Sequence, residues 1–296
     1  MTSVPKKSKA RRSLLQRYAA APHIAWAILF IIAPLIFVAY YAFTDTVDGS
    51  VVFSIENLKT FFTPAYLKIF ARSVGLALIS TVICLILGYP IAYFISRTKP
   101  KTQRLLILLI MLPMWMNFII RTYSISELIK DTGIINSFLG KINSFLDKIG
   151  IPQMQQMHIY GKEGAVVLGM VYDYLPYMIL PIYSVMAKLD YRLVEAAGDL
   201  GCNSLKVMTK VIFPLSRSGV ISGITMVFVP SISTFYISQK LGGPSTLLIG
   251  DVIEQSYNAS NYHLAAALSF VLMVILLIGL AVVNKYTDDD SGGMLI

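Results

Sequence analysis

The stretch SVGLALISTVICLILGYPIAYFI, residues 73–95, runs 23 residues without a charged side chain, between Arg72 and Arg97. A continuous apolar run of about 20 residues is the length an α-helix needs to cross the hydrocarbon of a bilayer. A barrel strand would alternate instead, over about 10 residues. Backbone polar groups cannot go unpaired in hydrocarbon, so the run predicts a spanning helix. Further runs of the same kind occupy 23–43, 104–120, 164–187, 219–238 and 264–284. Composition agrees: the chain is 56% hydrophobic and 14% charged, where a soluble domain carries about 25% charged residues. The sequence therefore predicts an all-α membrane protein with six transmembrane helices over 23–284.

The net charge of +9 suggests a nucleic-acid partner only until its distribution is read. The basic residues flank apolar runs and form no basic and aromatic groove pattern, so no nucleic acid is expected. Lys6, Lys7, Lys9, Arg11, Arg12 and Arg17 precede the first run, which ends without a small-residue cleavage site and is read as a retained anchor. The segments on the side of the N-terminus hold 16 Lys and Arg against 6 Asp and Glu, and the opposite side holds 9 of each. The positive-inside rule then places the basic tail 1–22 and the tail 285–296 in the cytoplasm, and 121–163 outside. In that outer segment Ile134, Ile135, Phe138, Ile142, Phe145, Leu146 and Ile149 recur at helical spacing between Gly133 and Gly150. This predicts an amphipathic helix on the outer surface, read first as a structural lid.

The cytoplasmic segment 188–217 reads as two short helices. Asp190 is a good N-cap, Gly201 a good residue just past a helix end, Asn203 or Ser204 caps the second helix, and Pro214 is expected to stop it. Leu193, Ala196, Ala197 and Leu200 give the first helix a small apolar face, a knob suited to a groove on a soluble partner.

Here the chain resembles the permease subunits of ABC importers. Their cytoplasmic motif is Glu-Ala-Ala, three residues, Gly, nine residues, then Ile, any residue, Leu, Pro. This chain has Glu195-Ala196-Ala197, Gly201, Val211, Phe213 and Pro214, with Val for Ile and Phe for Leu. Leu112-Pro113-Met114-Trp115, Ile120-Arg121-Thr122-Tyr123, Leu175-Pro176-Tyr177-Met178 and Leu241-Gly242-Gly243 through Leu247-Leu248-Ile249-Gly250 look like permeases of spermidine/putrescine importers, the first of the two paired permeases. Permeases for sulfate, iron or sugars share the scaffold. The resemblance implies a type I importer permease fold in the bacterial inner membrane. It implies four kinds of partner: the bilayer, a homologous second permease, two cytoplasmic ATPase subunits and an external solute-binding protein. Glu195, Ala196, Ala197, Gly201 and Pro214 inherit the coupling to the ATPase. The chain carries no Gly-x-x-x-x-Gly-Lys-Ser/Thr loop, so no cofactor is assigned to it, and ATP and Mg belong to the partner ATPase. It is a transport subunit, not an enzyme.

Asp173 lies inside the fourth run. A lone carboxylate there costs at least about 2.5 kcal/mol, so it faces a bundle interior or an aqueous cavity. Tyr177 follows on the same face, and Pro176 and Pro181 interrupt the helix ladder. A carboxylate beside aromatic rings suits a polyamine through charge pairing and cation–π contact. Asp173, Tyr177 and Trp115 are therefore the candidates for the substrate passage. The competing reading of Asp173 is a buried carboxylate paired with Arg121 or a hydroxyl. Ser231, Ser233, Thr234 and Tyr236 read as helix-packing groups. His23, His158 and His263 receive no chemistry, and Cys84 and Cys202 fit no metal spacing. A secondary transporter would need ion-coupling residues in broken mid-membrane helices, and one Asp is thin support for it. A membrane enzyme would need clustered His, Asp or Glu, and none is visible.

Overall fold

The structure is a computed structural model that describes residues 21–149, 158–190, 192–244 and 246–292. Most of the basic tail 1–22 lies outside the described residues. Helix α1 (Ala21–Ala42) is followed by a hairpin, β1 (Thr44–Val47) and β2 (Ser50–Phe53), closed by Asp48 and Gly49 at φ 50° and 77°. The chain continues through α2 (Glu56–Phe61), α3 (Pro64–Arg97), α4 (Pro100–Met111, with a tighter turn over Leu112–Trp115), α5 (Phe118–Ile129), α6 (Ile134–Ile149) and α7 (Glu163–Met186). It ends with α8 (Arg192–Asp199), α9 (Ser204–Ile232), α10 (Tyr236–Leu241), α11 (Ile249–Asn258) and α12 (Tyr262–Gly292). Among the described residues, α1, α3, α7, α9 and α12 are long and apolar enough to cross a bilayer alone, and the bent pair Pro100–Trp115 and Phe118–Gly140 makes a sixth when counted as one broken span.

That bent pair corrects the expectation of a straight third span over 104–120. The helix axis turns by 93° after Trp115. Pro113 sits in the tight turn, Met116 is extended, and the Asn117 side chain accepts the Ile119 N–H at 2.8 Å. A proline followed by a strong N-cap ends one helix and starts another, whatever the hydropathy of the run. The second span is also longer than predicted: α3 has 34 residues, about 50 Å at 1.5 Å per residue, more than the roughly 30 Å hydrocarbon of a bilayer requires. The last helix continues past 284 to Gly292.

A second correction concerns Pro214. It does not stop the helix that Asn203 starts, because α9 runs unbroken through it. The five residues before Phe213, Met208–Ile212, form a π turn in which the Phe213 N–H reaches back to the Met208 carbonyl. Pro34 in α1 has the same arrangement, with a π turn over Ile28–Ile32 and the Ala33 N–H on the Ile28 carbonyl. An α-helical proline would clash with the carbonyl four residues back and leave it without a donor. The wider turn shifts the ladder by one residue just where the proline enters.

Helices α3, α7 and α9 form the main core. Met178 of α7 is fully buried between Gly88 of α3 and Gly223 of α9. A Cβ at Gly223 would lie 2.8 Å from the Met178 sulfur, and one at Gly219 would lie 2.9 Å from the Pro181 carbonyl oxygen. Glycines four residues apart thus bring α9 against the α7 backbone, the close approach that drives helix packing where lipid supplies no hydrophobic force. Helix α1 instead lies on the periphery against α12, with Ala42 its one buried residue. We predict that Gly219→Leu or Gly223→Leu lowers the detergent melting temperature, equivalent to about 1–3 kcal/mol of overpacking. Gly279→Leu, where a Cβ meets nothing within 4 Å, should leave it unchanged in the same fluorimetric scan.

Candidate coupling surface and passage

The segment after α7 folds as a short knob. The Asp190 carboxylate accepts the Arg192 N–H at 3.0 Å and opens α8. At the other end Gly201 takes φ +79°, and the Cys202 N–H closes on the Ala197 carbonyl at 3.1 Å. This is a glycine-terminated helix end, at a conformation side chains other than glycine disfavour. Asn203 then caps α9 by accepting the Lys206 N–H at 2.9 Å. Of the predicted apolar face, Ala197 is buried and joins Val207 in the main core. Leu193, Ala196 and Leu200 are exposed, Leu200 to 85%, and so is Leu205, to 75%. Glu195 is exposed beside them, and Pro214 is exposed on α9. The knob is therefore anchored through Ala197, with Val194 and Cys202 packed beside it, and presents a crest of leucines flanked by the carboxylates of Glu195 and Asp199.

The passage candidates separate. Tyr177 is 37% exposed and lines a cavity of about 580 Å³ with Met114, Pro181, Ser184, Ser218 and Ser222. Trp115 is 73% exposed at the break of the third span, but its neighbour Met114 is the residue of that turn on the cavity wall. Asp173 is not on a wall: it is fully buried, forms an ion pair with Arg121, and accepts the Thr122 hydroxyl at 3.2 Å. Arg121 and Thr122 replace the water its charge would otherwise need. The charge of Arg121 placed it in an outer loop by sequence, yet it is 5% exposed. The Ser231 hydroxyl is turned back onto the Val227 carbonyl at 2.6 Å inside α9.

Two features at the same end of the bundle as the hairpin and α11 escaped the sequence reading. His263 lies 3.0 Å from the Thr46 hydroxyl and 3.2 Å from the Tyr41 carbonyl, tying the hairpin to the start of α12. The Leu241–Gly250 stretch is locked by Asp251, which is 1% exposed and accepts the Leu248 N–H at 2.8 Å. The signal for it was an acid three residues after Leu248, where a first-turn carboxylate caps a helix. Helix α6 forms where the periodicity predicts one, with Ile134 and Phe138 exposed. The side chains of Phe145, Leu146 and Ile149, and Gly150, lie outside the described residues.

Burial pushes the Asp251 carboxyl up from 3.8 to about 6, with Glu254 adding to the rise, against hydrogen bonds from the Leu248 N–H, Ser238 and Gln239. The Ser238 oxygen lies 2.8 Å from both the Phe235 carbonyl and an Asp251 carboxyl oxygen, so its one hydroxyl proton is shared between two acceptors and only partly offsets the burial of Asp251. A carboxyl raised by folding penalises the folded state once ionised. Stability should fall as pH rises from about 4 to about 6 and stay reduced above, by roughly 3 kcal/mol at most. Asp251→Asn, which reproduces the protonated bonding, should be flat across that window when melting is followed against pH.

Residues 88–286 match the family described as binding-protein-dependent transport system inner membrane component. The chain is 37% identical over 266 residues to the spermidine/putrescine transport system permease protein PotB of Haemophilus influenzae, covering 88% of this chain and 90% of the relative. It is 35% identical over 257 residues to the protein of the same name from Escherichia coli K12, covering 86% and 90%. Among solved structures, its fold is similar to a chain of a bacterial alginate ABC transporter crystallised with a pentasaccharide-bound periplasmic protein. The TM-score is 0.66 at 16% identity, covering 92% of this chain and 93% of that one.

Proposed function

We propose, on the premise that this chain belongs to the family of binding-protein-dependent transport system inner membrane components and has the type I permease fold, that it imports polyamines. In this reading it is the first of two paired permeases, in the bacterial inner membrane with both termini cytoplasmic. It works with a homologous permease, two cytoplasmic ATPase subunits that bind ATP and Mg, and an external binding protein. The observation that carries the cargo is the identity of 35–37% over nearly nine-tenths of the chain with relatives named for spermidine and putrescine.

The residues give the proposal a mechanism. The crest Leu193, Ala196 and Leu200 seats in a groove of the ATPase, where burying the leucines contributes at about 25 cal/mol per Å². Glu195 meets a basic residue of that groove, and Gly201 lets the partner backbone approach the helix end. Helix α9 starts at the knob, passes Pro214 without a break and reaches the cavity as one rod. ATP-driven closure of the ATPases thereby reaches the passage wall. There Tyr177 offers an aromatic face to a passing ammonium group, and Trp115 offers another from the exposed break beside the cavity, worth about 0.5–2 kcal/mol each. Such weak contacts suit a passage, since a strong site would trap the cargo and high affinity belongs to the external protein.

Two tests separate the coupling from the cargo. Glu195→Arg and Gly201→Trp should abolish uptake and binding-protein-stimulated ATP hydrolysis while the bundle stays folded; survival of both activities would sink the docking role. In proteoliposomes with all partners present, the wild type should take up radiolabelled spermidine or putrescine. Clear uptake of a sugar or an anion with no polyamine uptake would remove the cargo and leave the importer.

A further inference from the structure

The 93° break in the third span puts irregular backbone beside a cavity, and such backbone persists at membrane depth only where it is buried in protein or lines a cavity that holds water. One side chain ties the two sides of the break together. Arg121 stands in the first turn of α5, just after the break. Its Nη1 donates to the Pro113 carbonyl at 3.1 Å, reaching back across the bend. That carbonyl also accepts the Met116 N–H at 3.1 Å, so both of its lone pairs are used. The guanidinium carbon sits 5.8 Å from the centre of the Phe118 ring, and Nε lies against the Asp173 carboxylate of α7. The other carboxylate oxygen takes the Thr122 hydroxyl, from the next residue of α5. Arg121, Thr122 and Asp173 are 5%, 0% and 0% exposed. Three pieces of chain therefore meet at one ion pair: the tight turn carrying Met114 and Trp115, the start of α5, and the middle of α7 four residues before Tyr177.

We propose that Arg121 and Asp173 are positioning residues, which fix the turn at Leu112–Trp115 relative to α7 and so set the wall of the passage between Met114 and Tyr177. A buried ion pair contributes little net stability, and well-packed apolar residues of similar volume often replace one at no cost. What they cannot replace is direction. The planar guanidinium donates a hydrogen bond to the carbonyl across the bend and pairs its charge with the carboxylate on the neighbouring span at once. Neither residue touches the cargo: the pair acts through Met114, Trp115 and Tyr177. The inference rests on the importer reading but not on which solute is carried.

The test uses the full complex and two variants, in a background with Cys84 and Cys202 replaced. Asp173→Asn keeps the shape and loses the charge. The double change Arg121→Met with Asp173→Met replaces the pair by apolar side chains. Each is measured for assembly, detergent melting temperature and initial spermidine uptake in proteoliposomes. Each is also measured for cross-linking of cysteines placed at Met114 and Leu180, both on the cavity wall, by a short bifunctional maleimide. The double variant should assemble and melt at or above the parent temperature, while uptake falls about tenfold, the scale of a small misplacement, and cross-linking drops several-fold. Asp173→Asn should lose uptake and cross-linking in the same proportion. Parent-level uptake and cross-linking in the double variant would overturn the proposal, since direction would then not matter. Failure of the double variant to assemble would also overturn it, because the pair would then hold the bundle together rather than orient one turn. Absence of spermidine uptake in the parent bears on the cargo alone, and the cross-link still decides the role of the pair.

Discussion

Inside hydrocarbon each backbone donor and acceptor must be paired by the protein itself, and this chain places prolines where that is hardest. Pro34, Pro90, Pro176, Pro181, Pro214 and Pro230 all lie within helices. At Pro34 and Pro214 a π turn moves the ladder by one residue before the ring arrives. At the end of α4 the chain gives up the helix, and Asn117 and Arg121 supply the partners that the lost turn would have provided. The bends that shape the passage and the polar side chains around them are two parts of one solution.

The spans were legible because a 20-residue apolar run has few other fates. The knob was legible because its punctuation is local: Asp190, Gly201 and Asn203 each act within three or so residues of themselves. The errors were of another kind. The break after Trp115 is invisible to hydropathy, since the run stays apolar through it. Arg121 read as the start of an outer loop because a charge usually marks water, although its pairing with Asp173, the competing reading of that carboxylate, is the one the structure shows. Pro214 read as a stop because that rule describes an α-helix, and the residues before it adopt a wider turn. The Asp48-Gly49 hairpin carried a plain signal, but its strands are four residues each and sit between long helical runs.

The same facts say which parts of the chain move together. Gly219 and Gly223 press α9 onto the α7 backbone, so these two spans behave as one body in a close-packed interior. The knob joins that body through the turn over 200–203, and Ala197 of α8 packs in the same core as Val207 of α9. The cavity has α7 and α9 on most of its wall, and Met114 supplies the rest from the turn after α4. That turn belongs to a different stretch of chain, joined to the α7–α9 body through Arg121 and Asp173. In this arrangement the cavity wall is composite, with one part packed by glycines and the other held by an ion pair. The glycine contact, Gly219 and Gly223, covers about one turn of helix and is set by backbone shape. The ion pair is a single point, and the position of the bent segment against the α7–α9 body depends on it.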